Sequence, residues 1–290
     1  KKHKICKILL VILAIFLCVA FYELLGICVA YKKQPEVSNT TKKETKNGSW
    51  NECSENTERA VIIEKNPEAL LQRVRLIKNA KKEIILSTFA FQSDESGKLI
   101  LGALHDAADR GVHIRLLVDG MESWIDMEGN PYFYGLSSHE NVEIKLYNKA
   151  NPLKPWKMMG RMHDKYLIAD GKRYILGGRN TYNYFLGDFP GHKNYDRDVL
   201  VVCDEPEKEN SVNQLLEYFE TIWEQEDSGY FHDNKKLANR KSVKNAVLEL
   251  QNGYQKYFEE NKERICDTDY TDETFETEKI ALVSNPIHTG

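Results

Sequence analysis

Between residues 60 and 119, short apolar runs alternate with segments of helical periodicity. That alternation restricts the chain to an α/β sheet with crossover helices. Residues 60–63 (Ala-Val-Ile-Ile) read as a short strand. Asn66 and Pro67 open a helix, with Asn66 as the expected cap and Pro67 in the first turn; Leu70, Leu71, Val74 and Ile77 form its apolar face. A buried strand is expected over 83–89, a turn over 94–97, a helix over 98–110 ended by Gly111, and another strand over 113–119. Residues 142–147 and 199–202 read as further strands. A helix over 207–226 carries Leu215, Leu216, Phe219, Ile222 and Trp223 as its core stripe.

The flanks are of different character. Residues 8–30 form an apolar run broken mainly by Glu23 and cysteines, and about 20 such residues cross a bilayer core. The Ala30-Tyr31-Lys32 context suits no signal cleavage, and the bulky Ile27 before Cys28 argues against a lipoprotein signal. Residues 1–33 therefore read as a retained single-pass anchor, followed by a polar tether over 34–58. Lysines stand on both sides of the run, so the positive-inside rule leaves its orientation open. Residues 228–278 read as a polar interlobe connection or surface excursion with a helix near 239–264. Residues 280–283 read as the opening strand of something new. A net charge of -4 gives no global case for a nucleic-acid partner. The six cysteines include no C-x-x-C pair, so neither a metal site nor a disulfide framework is expected, and no cofactor.

The chemistry concentrates between Met162 and Asn180. His163 and Lys165 are two residues apart and share one face of a strand, while Asp164 points the other way. The two apolar runs around Asp170-Gly171-Lys172 can pair as a hairpin, which returns Gly177, Gly178, Arg179 and Asn180 to the His/Lys end. The two glycines allow a substrate close to the backbone. A neutral imidazole, an ammonium and an amide suit a phosphodiester: the imidazole attacks phosphorus or shuttles a proton, and Lys165 and Asn180 offset charge on the non-bridging oxygens.

The six positions His163, Lys165, Asp170, Gly177, Gly178 and Asn180 resemble the signature of the phospholipase D superfamily. The segments Asn79 to Ile84, Ala107 to Val112 and Leu116 to Asp119 look like the first lobe of its bacterial cardiolipin synthase-like members. Tyr195 to Val199, with Phe219 and Trp223, resembles the close of that lobe. The resemblance implies a phospholipase D-like lobe over 59–227, a mixed sheet flanked by helices and preceded by one transmembrane helix. It implies a bacterial membrane phosphatidyltransferase acting on phospholipid. His163, Lys165 and Asn180 would face the phosphate, and Asp170 would order the loop. Gly177, Gly178 and Arg179 would line the substrate site, with Arg179 either touching a headgroup or filling a variable position. Asp196 or Asp198 would orient His163.

Members of this kind join two motifs across a cleft, one histidine becoming a phosphohistidine and the other moving the leaving-group proton. No other histidine here has Lys two residues later. The expectation is that residues 279–290 begin a truncated second lobe carrying the missing motif; the alternative partner is a second copy of the chain. Phospholipid hydrolysis or nuclease activity is the competing enzyme class, and a non-enzymatic membrane scaffold the third. Trp124, Tyr132, Phe133 and Tyr134 read equally as an apolar lip for acyl chains or as core.

Overall fold

The computed structural model describes residues 2–32, 39, 42–43, 58–157, 160–203 and 210–284. Most of the expected tether and residues 285–290 lie outside the described residues. The N-terminal apolar run is one helix, α1 (Lys2–Lys32), long and apolar enough to cross a membrane. The body is built from β1 (Glu58–Ile63), α2 (Asn66–Asn79), β2 (Glu83–Thr88), α3 (Glu95–Asp109), β3 (His113–Asp119), α4 (Gly120–Asp126), α5 (Pro131–Ser137) and β4 (Val142–Tyr147). Then follow β5 (Lys165–Ala169), β6 (Arg173–Gly177), β7 (Asp198–Cys203), α6 (Ser211–Trp223), β8 (Ser228–Tyr230), α7 (Lys241–Glu260), α8 (Lys262–Cys266) and β9 (Phe275–Glu276).

One mixed sheet runs in the order β8-β4-β3-β2-β5-β6-β7-β1-β9. The pairs β2–β3 and β3–β4 are parallel and the others antiparallel. Successive side chains on a strand face opposite ways. Accordingly Ile84, Leu86, Ile114, Leu116 and Leu167 join a larger core under α2, α3 and α7, while Ile85, Leu117, Tyr166, Ile168 and Tyr174 join a smaller one under α6. The expected mixed α/β sheet with flanking helices is therefore the observed architecture.

Four local expectations change. Asn66 does not cap α2: Lys65 holds the cap position, and the Asn66 side chain donates to the Asn194 carbonyl at 2.9 Å. Residues 94–97 are no turn. Asp94 caps α3 by accepting from the Gly97 N–H at 3.0 Å, so the helix begins at Glu95.

The supposed interlobe connection over 228–278 packs into the lobe itself. β8 pairs with β4, β9 with β1, and α7 buries Val243, Ala246, Leu250, Tyr254 and Phe258. That spacing of 3, 4, 4 and 4 is an amphipathic stripe, diluted in the sequence by the polar residues on its outer face. Finally, residues 280–283 form no strand. Ile280 and Leu282 pack against the smaller core, and the Leu282 N–H donates to Gln214 Oε1 at 2.8 Å.

Candidate active site

The hairpin forms as expected, with Tyr166 opposite Leu176 and Ala169 opposite Arg173. The same register puts Gly177 across from Lys165, at the end where His163 leaves the sheet. Lys165 pairs on its other side with Thr88 of β2. His163 is exposed and its ring meets Phe89 edge-on, with centroids 4.6 Å apart. The Lys165 Nζ lies 5.2 Å from the same ring centroid and donates to the His163 carbonyl oxygen at 2.6 Å. Burial and the neighbouring Lys165 charge lower the His163 pKa below its ordinary 6.5, which keeps the imidazole neutral at pH 7. Burial pushes Lys165 down to about 8. A nucleophilic imidazole thus stands beside a cation that is poorly solvated and available to an anion.

Asn180 is buried, and its side-chain oxygen accepts from the Ala90 N–H at 3.2 Å. It therefore fixes the segment that carries Phe89. Its neighbour Thr181 bonds Thr88 through their hydroxyls at 3.2 Å. His163, Lys165 and Asn180 are accordingly gathered around residues 88–90.

The other expected residues lie elsewhere. Asp170 occupies the far end of the hairpin with φ 54°, and its carboxylate accepts from the N–H groups of Lys81, Lys82 and Glu83 at 2.7–3.1 Å. A five-residue strand separates it from the His163 end, so Asp170 orders the loop at the far end of the hairpin and is not among the residues gathered around His163. Arg179 is fully buried and cannot reach a headgroup. Its guanidinium donates to Asn66 Oδ1 and to the carbonyls of Ile63 and Glu64, and it pairs with Asp198 at 3.3 Å.

Asp198 also pairs with Arg73 at 2.9 Å, and among the described residues neither Asp198 nor Asp196 hydrogen-bonds His163. Asp196 instead lies close enough to raise the Lys165 pKa against the effect of burial. A side chain at Gly177 would collide with Asp198, and one at Gly178 with Asp196. The glycines make room for these carboxylates rather than for substrate, although Gly177 also borders the cleft.

Three participants were not singled out from sequence. Arg161 lies 5.0 Å from the Phe89 ring and is held by Asp119 at 2.7 Å and Glu122 at 2.9 Å. Arg161, His163 and Lys165 recur every second residue, a period that could have revealed the grouping. Asp119 is buried; it caps α4 and accepts from the Met162 N–H at 3.1 Å, which anchors the entry to the motif. On the opposite face Tyr218 of α6 donates to Asp164 at 2.9 Å, confirming that Asp164 points away from His163. A cavity of about 560 Å³ opens here, lined by Arg161, His163 and Lys165 together with Tyr147, Asp164 and Tyr218. Of the supposed apolar lip, Phe133 and Tyr134 are core and Trp124 is exposed.

The family model described as "Cardiolipin synthase, PLD-like domain" matches residues 73–223, just over half of the chain. An uncharacterized protein of Helicobacter pylori is 30% identical over 212 residues, covering 68% of this chain and 39% of that protein. Cardiolipin synthase C of Escherichia coli is 29% identical over 171 residues, covering 54% of this chain and 34% of that protein. The chain thus spans about two fifths or less of the length of these curated relatives. Among solved structures, phosphatidylserine synthase of Haemophilus influenzae is 18% identical with a TM-score of 0.49, covering 76% of this chain and 48% of that one. With its central sheet, its hairpin-borne motif and more than half its length inside the matched model, the chain belongs to the phospholipase D-like domain family of cardiolipin synthase.

Proposed function

We propose that the protein is a membrane-anchored phosphatidyltransferase of the cardiolipin synthase type, with His163 as the covalent nucleophile. The observation that carries this reading is the exposed, neutral imidazole of His163 beside the buried ammonium of Lys165, both against the Phe89 ring. In the first step an imidazole nitrogen attacks the phosphorus of phosphatidylglycerol. The bond from phosphorus to the glycerol oxygen breaks, and the departing glycerol takes a proton from a second histidine. In the second step a hydroxyl of another phosphatidylglycerol gives its proton back to that histidine and attacks phosphorus, and the P–N bond breaks. Lys165 and Asn180 stabilise charge on the non-bridging oxygens. The second histidine comes from another motif-bearing lobe or from a second copy of the chain. Apolar α1 holds the enzyme at the bilayer containing its substrate.

The test supplies the native gene product, in phosphatidylglycerol vesicles, with labelled lipid. Cardiolipin and glycerol should form in equal amounts, and an acid-labile phosphatidyl adduct should map to His163. His163→Ala should abolish both. Intact lipid combined with DNA turnover would overturn the reading in favour of a nuclease. Release of phosphatidic acid without cardiolipin would make the enzyme a hydrolase.

A further inference from the structure

The last turns of α1 do not stand clear of the body. Glu23, Gly26, Ile27 and Ala30 are half-buried while residues 3–21 are exposed. Their spacing of 3, 4 and 7 marks one helical face. That face is seated on the segment before the motif. The Tyr22 hydroxyl donates to the Leu153 carbonyl at 2.8 Å, and a side chain at Gly26 would collide with the Pro155 ring. Ile27 also shares a cavity of about 710 Å³ with Trp124 and Phe231.

This seat has a defined depth. About 20 residues at 1.5 Å each cross a hydrocarbon core of about 30 Å. Counted from Ile8, the first residue after Lys7, they end at Ile27. This count puts the Gly26 contact at the edge of the hydrocarbon and the Tyr22 contact about 8 Å inside it, close to the level where Tyr and Trp side chains concentrate. Around the seat the body exposes large apolar groups: Leu153 is 78% exposed, Ile125 66%, Trp124 64% and Trp156 45%. Exposed Lys154 adds a cation beside Leu153. Water is a poor covering for such a group of side chains, and the helix seated among them brings lipid to their level.

We propose that residues 151–157, together with Trp124 and Ile125, form a second membrane contact that inserts into the headgroup layer of the bilayer crossed by α1. The inference rests on the reading of α1 as a membrane anchor. It adds an orientation to that reading. His163 follows Trp156 by seven residue steps, so its backbone lies within about 25 Å of that of Trp156, at most 3.6 Å per residue.

Tryptophan fluorescence of the full chain in phosphatidylcholine–phosphatidylglycerol vesicles tests this, with plain or brominated acyl chains. The chain has four tryptophans, and the difference between the wild type and W124F/W156F isolates the two in question. That difference signal should be blue-shifted in vesicles and at least halved by brominated lipid. Equal brightness in both vesicle types, from protein that resists an alkaline carbonate wash, would overturn the second contact and leave the anchor standing. Release of the protein by the wash would overturn both. Both tryptophans are exposed, so the double variant should keep the wild-type circular dichroism spectrum; turnover does not enter the measurement.

Discussion

The Nζ of Lys165 donates to the carbonyl oxygen of His163 at 2.6 Å, so the cation of the motif is tied to the backbone of the histidine two residues before it. The bond keeps the ammonium beside the imidazole before any phosphate arrives. An anionic substrate then has a charge waiting for it, with little reorganisation left to pay for.

A bell-shaped pH dependence follows for the proposed transfer reaction. His163 must be neutral to attack, and its pKa is lowered below 6.5, so activity should rise as pH increases through a value below 6.5. Lys165 must be charged, and its pKa is about 8, so activity should fall as pH rises through that region. Lys165→Arg should lower the maximum and remove the alkaline limb, because a guanidinium stays protonated there. A kcat/KM profile of both proteins decides the matter; an unchanged alkaline limb in the variant would assign that limb to another group.

Phe89 acts on His163 by contact and is a positioning residue. Phe89→Leu keeps apolar bulk but loses the edge-on ring contact, worth about 0.5–1.5 kcal/mol. The expected result is a fall in kcat of up to about tenfold with KM little changed, since orientation and not lipid binding is lost. A rise in KM alone would place Phe89 in lipid recognition instead.

Asp170 separates scaffold from chemistry. Asp170→Ala removes a carboxylate that accepts three backbone N–H groups and should destabilise the fold by about 2–4 kcal/mol. Turnover per folded molecule should stay within about twofold. Urea denaturation alongside activity measures both; normal stability with turnover reduced a thousandfold would return Asp170 to the reacting centre.

The buried Arg73–Asp198–Arg179 cluster should be costly to break. Asp198→Ala strands two guanidinium groups and should cost about 3–5 kcal/mol. A midpoint of denaturation close to that of the wild type would show that water or another side chain relieves them.

Much of the fold was legible because its signals are local. The strand and helix periods of residues 60–119 and the turn at Asp170-Gly171 each depend on neighbours in sequence, and each appears in the structure. The placing of His163 and Lys165 at one end of the hairpin was legible through the spacing of the six motif positions, all within 18 residues. The roles of Arg179 and Asp198 stayed open in the sequence because they pair with one another across 19 residues and with Ile63 and Arg73 more than a hundred residues away: the sequence shows two charges near a motif, and only tertiary pairing shows that they neutralise one another in the core. The segment 228–278 was misread differently. Its charged outer face outweighed the apolar stripe of α7, and composition averages over the faces that packing tells apart.

The two borders of the sheet limit how this lobe can assemble. β8 offers three residues and β9 only two, too little backbone for an incoming strand to zip onto. A partner that supplies a second histidine has little to gain by extending the sheet sideways. For the transfer proposed above, such a partner would have to cover the end where His163 projects, and a strand-swapped or laterally polymerised form should be rare even at high concentration.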